Sequence, residues 1–325
     1  MNERIGKALT LERVKTLVSS EWPYEMHGMV RSVSEQDEND LMKDLIDLHI
    51  HAFPDIRPRT PRDMIEVCKD GSKVGMCAMV FKDHFTQTAD RAYLTQRYID
   101  EWAVREGVRP VQVYGGMALN YAVGGLNPEA VAKAALYPRF KVVWFPSVDS
   151  FNQRREEKRE GGLYILNEDG TLRSEVEEIV ATVAGAKEKI MISTCHITPE
   201  EVIALSRETK KKRVDLVVDH ATQELTRLSL DQMKEVVDNG GYVGLFACSC
   251  LPNMYVPVCD PVEAIKVVSE LGPEHLVVAS DFGQVLGMQP VEGFRLFVRA
   301  LASLGISKED IETMGKKNPA KILGI

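Results

Sequence analysis

Residues 44–55 read DLIDLHIHAFPD, an apolar run that ends in His49-Ile50-His51. One residue between two histidines is the wrong spacing for a helical face. It is the right spacing for one face of a strand, where side chains alternate with period two. The first question is therefore whether this run is a strand, and of what kind of sheet.

Seven further runs of the same character follow. They are GMCAMVF (75–81), RPVQVYGG (109–116), FKVVWFP (140–146), KIMISTC (189–195), VDLVVD (214–219), GYVGLFA (241–247) and HLVVAS (275–280). They are continuously apolar rather than alternating, as strands buried on both faces of a parallel sheet must be. Helical patterns separate them, among them RDMIEVCKDGS, TADRAYLTQRYIDEWAVREG, NPEAVAKAAL and TPEEVIALSRETKK, several with a Thr or Asn cap and a Pro in the first turn. Eight β/α repeats in 325 residues predict a (β/α)8 TIM barrel over 44–325. A doubly wound open sheet is the alternative. It requires a Gly-rich turn after the first strand, where HIHAFPD stands instead; GGMALNYAVGG (115–125) lacks the G-x-G-x-x-G order.

Two segments lie outside the repeat. Residues 1–43 form a polar N-terminal extension with one helical stretch. Residues 149–175, after the fourth strand, read as a charged loop leading into a small hairpin with NEDG as its turn. Within it, RREEKRE (154–160) is most simply a solvated charge run, although long loops of this kind also serve as lids or binding loops.

Composition narrows the function classes. A net charge of −8 and a pI near 5.5 argue against a nucleic acid or an anionic membrane as the partner, and leave small molecules open. No apolar run reaches the roughly 18–20 residues needed to span a bilayer. The charged N-terminus lacks the apolar core of a secretory signal, and six cysteines without a C-x-x-C pair read as reduced thiols, so a cytoplasmic protein is expected. The C-x-C at Cys248 and Cys250 is read as buried strand cysteine before soft-metal ligand. A homo-oligomer packed through residues 1–43 is left open.

Of the seven histidines, five stand at or just past strand ends: His49 and His51 after the first strand, His84 after the second, His196 after the fifth and His220 after the sixth. Only His27 and His275 do not. LVVASDFGQ adds Asp281 at the end of the eighth strand. In a barrel these ends converge on one mouth. A single strand-end histidine is more often a hydrogen-bonded structural residue than a ligand. The pair on one strand face, joined by His196, His220 and Asp281 from three other strands, is expected to hold a divalent metal. A buried carboxylate among neutral imidazoles suits Zn and related transition metals.

The D-x-H-x-H at 47–51, His196, His220 and Asp281 together resemble the metal pattern of the amidohydrolase superfamily, and the closing NPAKILGI (318–325) resembles its C-terminus. HAFPDIRPRT, VFKDHFTQTADRA, ALNYAVGGLNPEAV, KVVWFPSVDS and SDFGQ resemble a branch of that superfamily with no assigned substrate. The resemblance implies a divalent metal, usually Zn, as one ion or two. His49, His51, His196 and Asp281 would hold it in a one-metal version, and His220 would orient water and substrate or join a second ion. Asp281 beside a metal-bound water is placed to take its proton and pass it to the leaving group. Two-metal members bridge their ions with a carboxylated Lys or a Glu from strand four. This sequence has neither there, only Asp149 nearby.

Lys82, in FKDH after strand two, is the unusual cation. It would serve as bridging ligand, catalytic acid or substrate-binding group, against a bland reading as a salt-bridged loop lysine. His84, Arg57 (with Arg59) and Asn120 (with Tyr121) are candidate substrate contacts; an Arg just past the metal pair suits an anionic substrate. Thr88 is expected to cap its helix. The expected activity is hydrolysis of an amide, lactone or ester of a small polar, anionic molecule. The alternatives are a decarboxylase or isomerase on the same site, and a non-catalytic metal- or ligand-binding barrel.

Overall fold

All eight apolar runs are strands of one parallel sheet in a computed structural model that describes residues 32–57, 61–251 and 261–325. His27, Arg59, Cys259 and most of the N-terminal extension lie outside those residues. The strands are β1 (Ile46–Ile50), β2 (Ala78–Phe81), β3 (Gln112–Ala118), β4 (Phe140–Trp144), β5 (Met191–Ser193), β6 (Leu216–Val218), β7 (Tyr242–Phe246) and β8 (Leu276–Ala279), hydrogen-bonded in chain order. Nearly every strand residue is buried, which is why the sequence runs are apolar without alternation. Beyond the last strand, the Asp281 amide donates to the His49 carbonyl (2.8 Å) and the His51 amide to the Phe282 carbonyl (2.9 Å), joining β8 to β1.

The helices are α1 (Glu35–Met42), α2 (Met64–Lys73), α3 (Ala89–Glu106), α4 (Pro128–Ala134), α5 (Phe151–Glu156), α6 (Ser174–Ala184), α7 (Pro199–Lys212), α8 (Leu230–Asp238), α9 (Ala247–Cys250), α10 (Pro261–Leu271), α11 (Pro290–Ser303), α12 (Lys308–Glu312) and α13 (Asn318–Leu323). Several start where the sequence says they must. Asp63, Thr198 and Ser229 form capping boxes with Glu66, Glu201 and Gln232, and Gly107 ends α3 in the left-handed conformation. Helix α1, at the end of the extension, buries Leu41 and Met42, and pairs Glu38 and Asn39 with Arg299 and Arg295 of α11. In the closing segment, the Asn318 amide donates to the carbonyls of Pro273 (2.8 Å) and Leu276 (2.7 Å), fastening α13 to the start of β8.

Two local readings are corrected. Thr88 stands at the start of α3, but its hydroxyl makes no cap bond. It donates to the Phe81 carbonyl (2.7 Å) and accepts from the Gly116 amide (2.9 Å), clasping β2 to β3. The segment after β4 is less of a loop than expected. Ser150 caps α5, whose Arg154 pairs with Asp149 (3.0 Å) and lies over the Tyr121 ring, so part of the charge run docks on the mouth. The expected hairpin follows as a Leu166–Leu172 bridge around the NEDG turn.

Gly283 fixes the seam between β8 and β1. It has φ of +118°, and a Cβ there would lie 1.8 Å from the His51 carbonyl oxygen. No neighbour can yield, because the obstruction is backbone. Gly283→Ala is expected to cost about 3 kcal/mol or more, combining overpacking with an unfavourable φ. Chemical denaturation should show it, and a loss below about 1 kcal/mol would mean that the seam is loose.

Candidate metal centre

Burial collects the chemistry at one end of the barrel. His49, His51, Lys82, His84, Asp219, His220, Cys248 and Asp281 are all buried, and all stand within a few residues of a strand's C-terminal end. Asp281 is at their middle. Its Oδ1 lies 3.4 Å from His49 Nε2 and 3.2 Å from His51 Nε2. Its Oδ2 lies 3.7 Å from His220 Nε2 and accepts a hydrogen bond from Cys248 Sγ at 2.9 Å. Two groups of donor atoms compact enough for a cation result: His49, His51 and Asp281, and His220, Cys248 and Asp281. His196 is outside both, with its ring 5.1 Å from that of His220.

The backbone aims these side chains by an unusual device. Cys195, His220 and Asp281 have φ of +48°, +55° and +50°. The left-handed conformation costs a non-glycine residue about 1 kcal/mol or more. Its recurrence just past β5, β6 and β8 turns the chain sharply at the mouth. Such strain gathers where the surrounding structure over-determines a site.

The donor set fits a metal. Both ring nitrogens of His49 are buried without a hydrogen-bond partner, and so is Nδ1 of His196. An orphaned buried polar atom costs about 1–3 kcal/mol, a cost that a bound cation would remove. Burial holds His49 and His196 well below the ordinary histidine range and His220 down to about 3, with the charge of Lys82 pushing each the same way. Neutral imidazole is the form that ligates.

Around the centre lie residues that hold its members. Asp47, the acid of D-x-H-x-H, accepts from the amides of His49 (3.1 Å) and Ser280 (3.0 Å), so it ties β1 to β8 instead of reaching the mouth. Burial raises its carboxyl to about 7. Asp219 accepts from the Ser193 hydroxyl (2.5 Å) and the Cys195 amide (3.1 Å), and stands 3.8 Å from His49 Nδ1. Trp144 and Phe246 pack on the His49 ring and floor the site. Lys82 donates to Cys195 Sγ at 2.9 Å and lies 5.8 Å from the Trp144 ring centre. Burial pushes the Cys195 thiol up, opposed by Lys82. His84 stacks on His51 with ring centres 5.0 Å apart, and its Nδ1 is 3.0 Å from the Ser147 hydroxyl.

Asn120, expected as a substrate contact, is a clamp. Its amide donates to the His84 carbonyl and the Ser147 hydroxyl (2.9 Å each) and accepts from the amides of Ser147 (3.0 Å) and Asp149 (3.2 Å). With both donors and both acceptor sites taken in a fully buried residue, nothing is left for substrate. Asp149 is likewise held by Arg154 and the Tyr121 amide, away from any bridging role. Asn120→Ala is expected to cost about 2–4 kcal/mol by leaving several buried groups unpaired. A thermal-melt shift of less than about 2 °C would contradict that.

Cys195, Asp219 and Gln223, whose amide lies 3.1 Å from His220 Nδ1, were not anticipated as members, and Cys248 was read first as a buried cysteine. The strand-end rule that picked out histidines also reaches Cys195 beside His196 and Asp219 beside His220. The C-x-C spacing marks Cys248 only together with Cys250, and the fold alone brings Cys248 to Asp281.

The barrel is shared with solved structures of low sequence identity. An amidohydrolase from Pseudomonas aeruginosa superposes with a TM-score of 0.58 at 14% identity over 88% of this chain and 98% of its own. A promiscuous lactonase engineered for organophosphate hydrolysis gives 0.55 at 13% identity over 86% and 95%. The 2,6-dihydroxybenzoate decarboxylase from Rhizobium gives 0.50 at 10% identity over 87% and 99%. At these identities the likeness is one of fold. No curated protein matches the chain in sequence. Among the described residues, no helix is long and apolar enough to cross a membrane. A family model matches residues 44–244, from the first histidine-bearing strand into the seventh, and the chain belongs to that family, the family of unknown function DUF6282.

Proposed function

We propose that this chain is a metal-dependent hydrolase acting on an ester, lactone or amide of a small anionic molecule. The observation that carries the reading is the ring of His49, buried without a hydrogen bond at either nitrogen and with Nε2 3.4 Å from Asp281 Oδ1. His49, His51, His196 and Asp281 would hold the ion, Zn in the first instance, and His220 stands beside them. A bound divalent ion supplies an acidified water and a Lewis acid for an acyl oxygen.

The chain's own residues do the rest. Asp281 accepts the proton of the attacking water and returns it to the leaving group. His220, held neutral by burial, orients water and acyl group. Lys82, a cation buried among neutral rings, favours negative charge developing on the substrate. Arg57 is half-buried at the rim, and its charge is felt at His196, which suits a substrate carboxylate or phosphate. His84, stacked on the His51 ring, would line the same mouth.

The test is metal analysis of the purified protein, together with turnover of a panel of lactones, esters and amides with CO2 release followed in parallel. Bound divalent metal and hydrolysis of anionic members support the reading. CO2 release without hydrolysis would transfer the site to a decarboxylase, as the Rhizobium neighbour is. Protein that holds no metal and takes none up on reconstitution would end the proposal. Arg57→Ala is expected to raise KM for anionic substrates about tenfold with little change in kcat, on the order of one half-buried charge-assisted contact. Equal KM for anionic and neutral substrates in the parent protein would remove Arg57 from the site.

A further inference from the structure

We propose that Cys248 is a ligand of the metal centre, through its thiolate. The proposal rests on the metal reading above and adds to it a sulfur donor from the end of β7. Asp281 turns its two oxygens to different donors: Oδ1 to His49 and His51, Oδ2 to His220 and Cys248. Cys248 Sγ, His220 Nε2 and Asp281 Oδ2 therefore face one another as the histidine pair and Oδ1 do.

The position of Cys248 is built, not incidental. Its amide donates to the Ser280 carbonyl at 3.1 Å, one residue before Asp281, so β8 fixes both donors. Gln223 Nε2 reaches His220 Nδ1 (3.1 Å), Cys248 Sγ (3.6 Å) and the Ser249 hydroxyl (2.7 Å), and so sets the imidazole and the thiol from one side. Cys250 differs, since it lines an apolar cavity with Phe297 and Leu301. A cysteine needed only for packing would sit like Cys250, not among an acid, an imidazole and an amide. An independent sign of a ligand here is the His49 ring on the other oxygen of Asp281, 1% exposed and without a hydrogen bond at either nitrogen.

The chemistry balances without a redox partner. The Cys248 S–H bond breaks heterolytically, the proton leaves to solvent, and the sulfur electron pair forms the bond to the cation. A centre of imidazole, carboxylate and thiolate favours Zn, Co and softer ions over Mn and Mg.

Cobalt(II) added to chelator-stripped full-length protein reads this directly. The wild type is expected to show a sulfur-to-cobalt charge-transfer band in the near ultraviolet beside the visible ligand-field bands. Cys248→Ser should lose the former, keep the latter and bind cobalt at least about tenfold more weakly. Cys195→Ser should keep both. Cobalt bound by the wild type without the charge-transfer band would overturn the assignment, as would a band that survives in Cys248→Ser. If Cys248→Ser does not fold, a band retained in Cys195→Ser supports Cys248, the other thiol beside the centre among the described residues, and a band lost there overturns it. Wild-type protein that binds no cobalt at all fails at the metal reading itself, a result distinct from binding without sulfur.

Discussion

His49→Ala/His51→Ala protein is expected to fold, to carry little or no bound metal and to lose activity by about 10³-fold or more, the scale of removing a metal-activated nucleophile. The two rings face Asp281 Oδ1 from one strand, so neither can be replaced by a neighbour without moving β1. Folding should survive because Asp47, which ties β1 to β8, is untouched. The variant also loses the two buried nitrogens of His49 that make no hydrogen bond, which offsets part of the cavity left against Trp144 and Phe246. Its melting temperature should consequently be insensitive to chelator, whereas that of the parent protein should fall when metal is stripped. Metal content by elemental analysis and a melt with and without chelator decide the matter. Full metal occupancy in the double variant would place the ion elsewhere.

The second large effect is expected at Asp281. Asp281→Asn keeps the shape and one oxygen but cannot accept a proton. A loss of kcat of about 10²–10⁴-fold, with KM nearly unchanged and metal still bound, is the signature of a missing general base. A neutral amide is a weaker ligand than a carboxylate, so metal affinity should fall as well and the kinetics are read with the metal in excess. Retained metal with unchanged kcat would move proton transfer to another group and favour a non-catalytic or differently organised centre. Steady-state kinetics on the best substrate of the panel, with metal measured on the same samples, separate these outcomes.

Much of this architecture was legible from local pattern. Eight apolar runs without alternation could only be strands covered on both faces, and the capped helices between them imposed parallel order. The histidines were legible for the same reason, because a strand's C-terminal end is a position in the sequence and also a place in a barrel. Errors arose where a side chain found a tertiary partner. Thr88 looked like a cap, but β2 and β3 offered its hydroxyl better geometry. Asn120 was read as a candidate substrate contact, but the His84 carbonyl and the turn after β4 take all its hydrogen bonds. The charge run after β4 is solvated as read except at Arg154, which Asp149 and Tyr121 gather onto the mouth.

The amino-acid sequence by itself determined the barrel, the end of it that carries chemistry, and the pairing of His49 with His51, since hydrophobic period and strand-end position are local properties. Only the tertiary structure decided the company those residues keep. The left-handed turns at Cys195, His220 and Asp281 aim side chains in directions that no spacing encodes. Closure of β8 on β1 brings Asp281 to histidines more than 200 positions away. The pairing of β7 with β8 carries Cys248, read from sequence first as a buried cysteine, to the second oxygen of the carboxylate at the middle of the site.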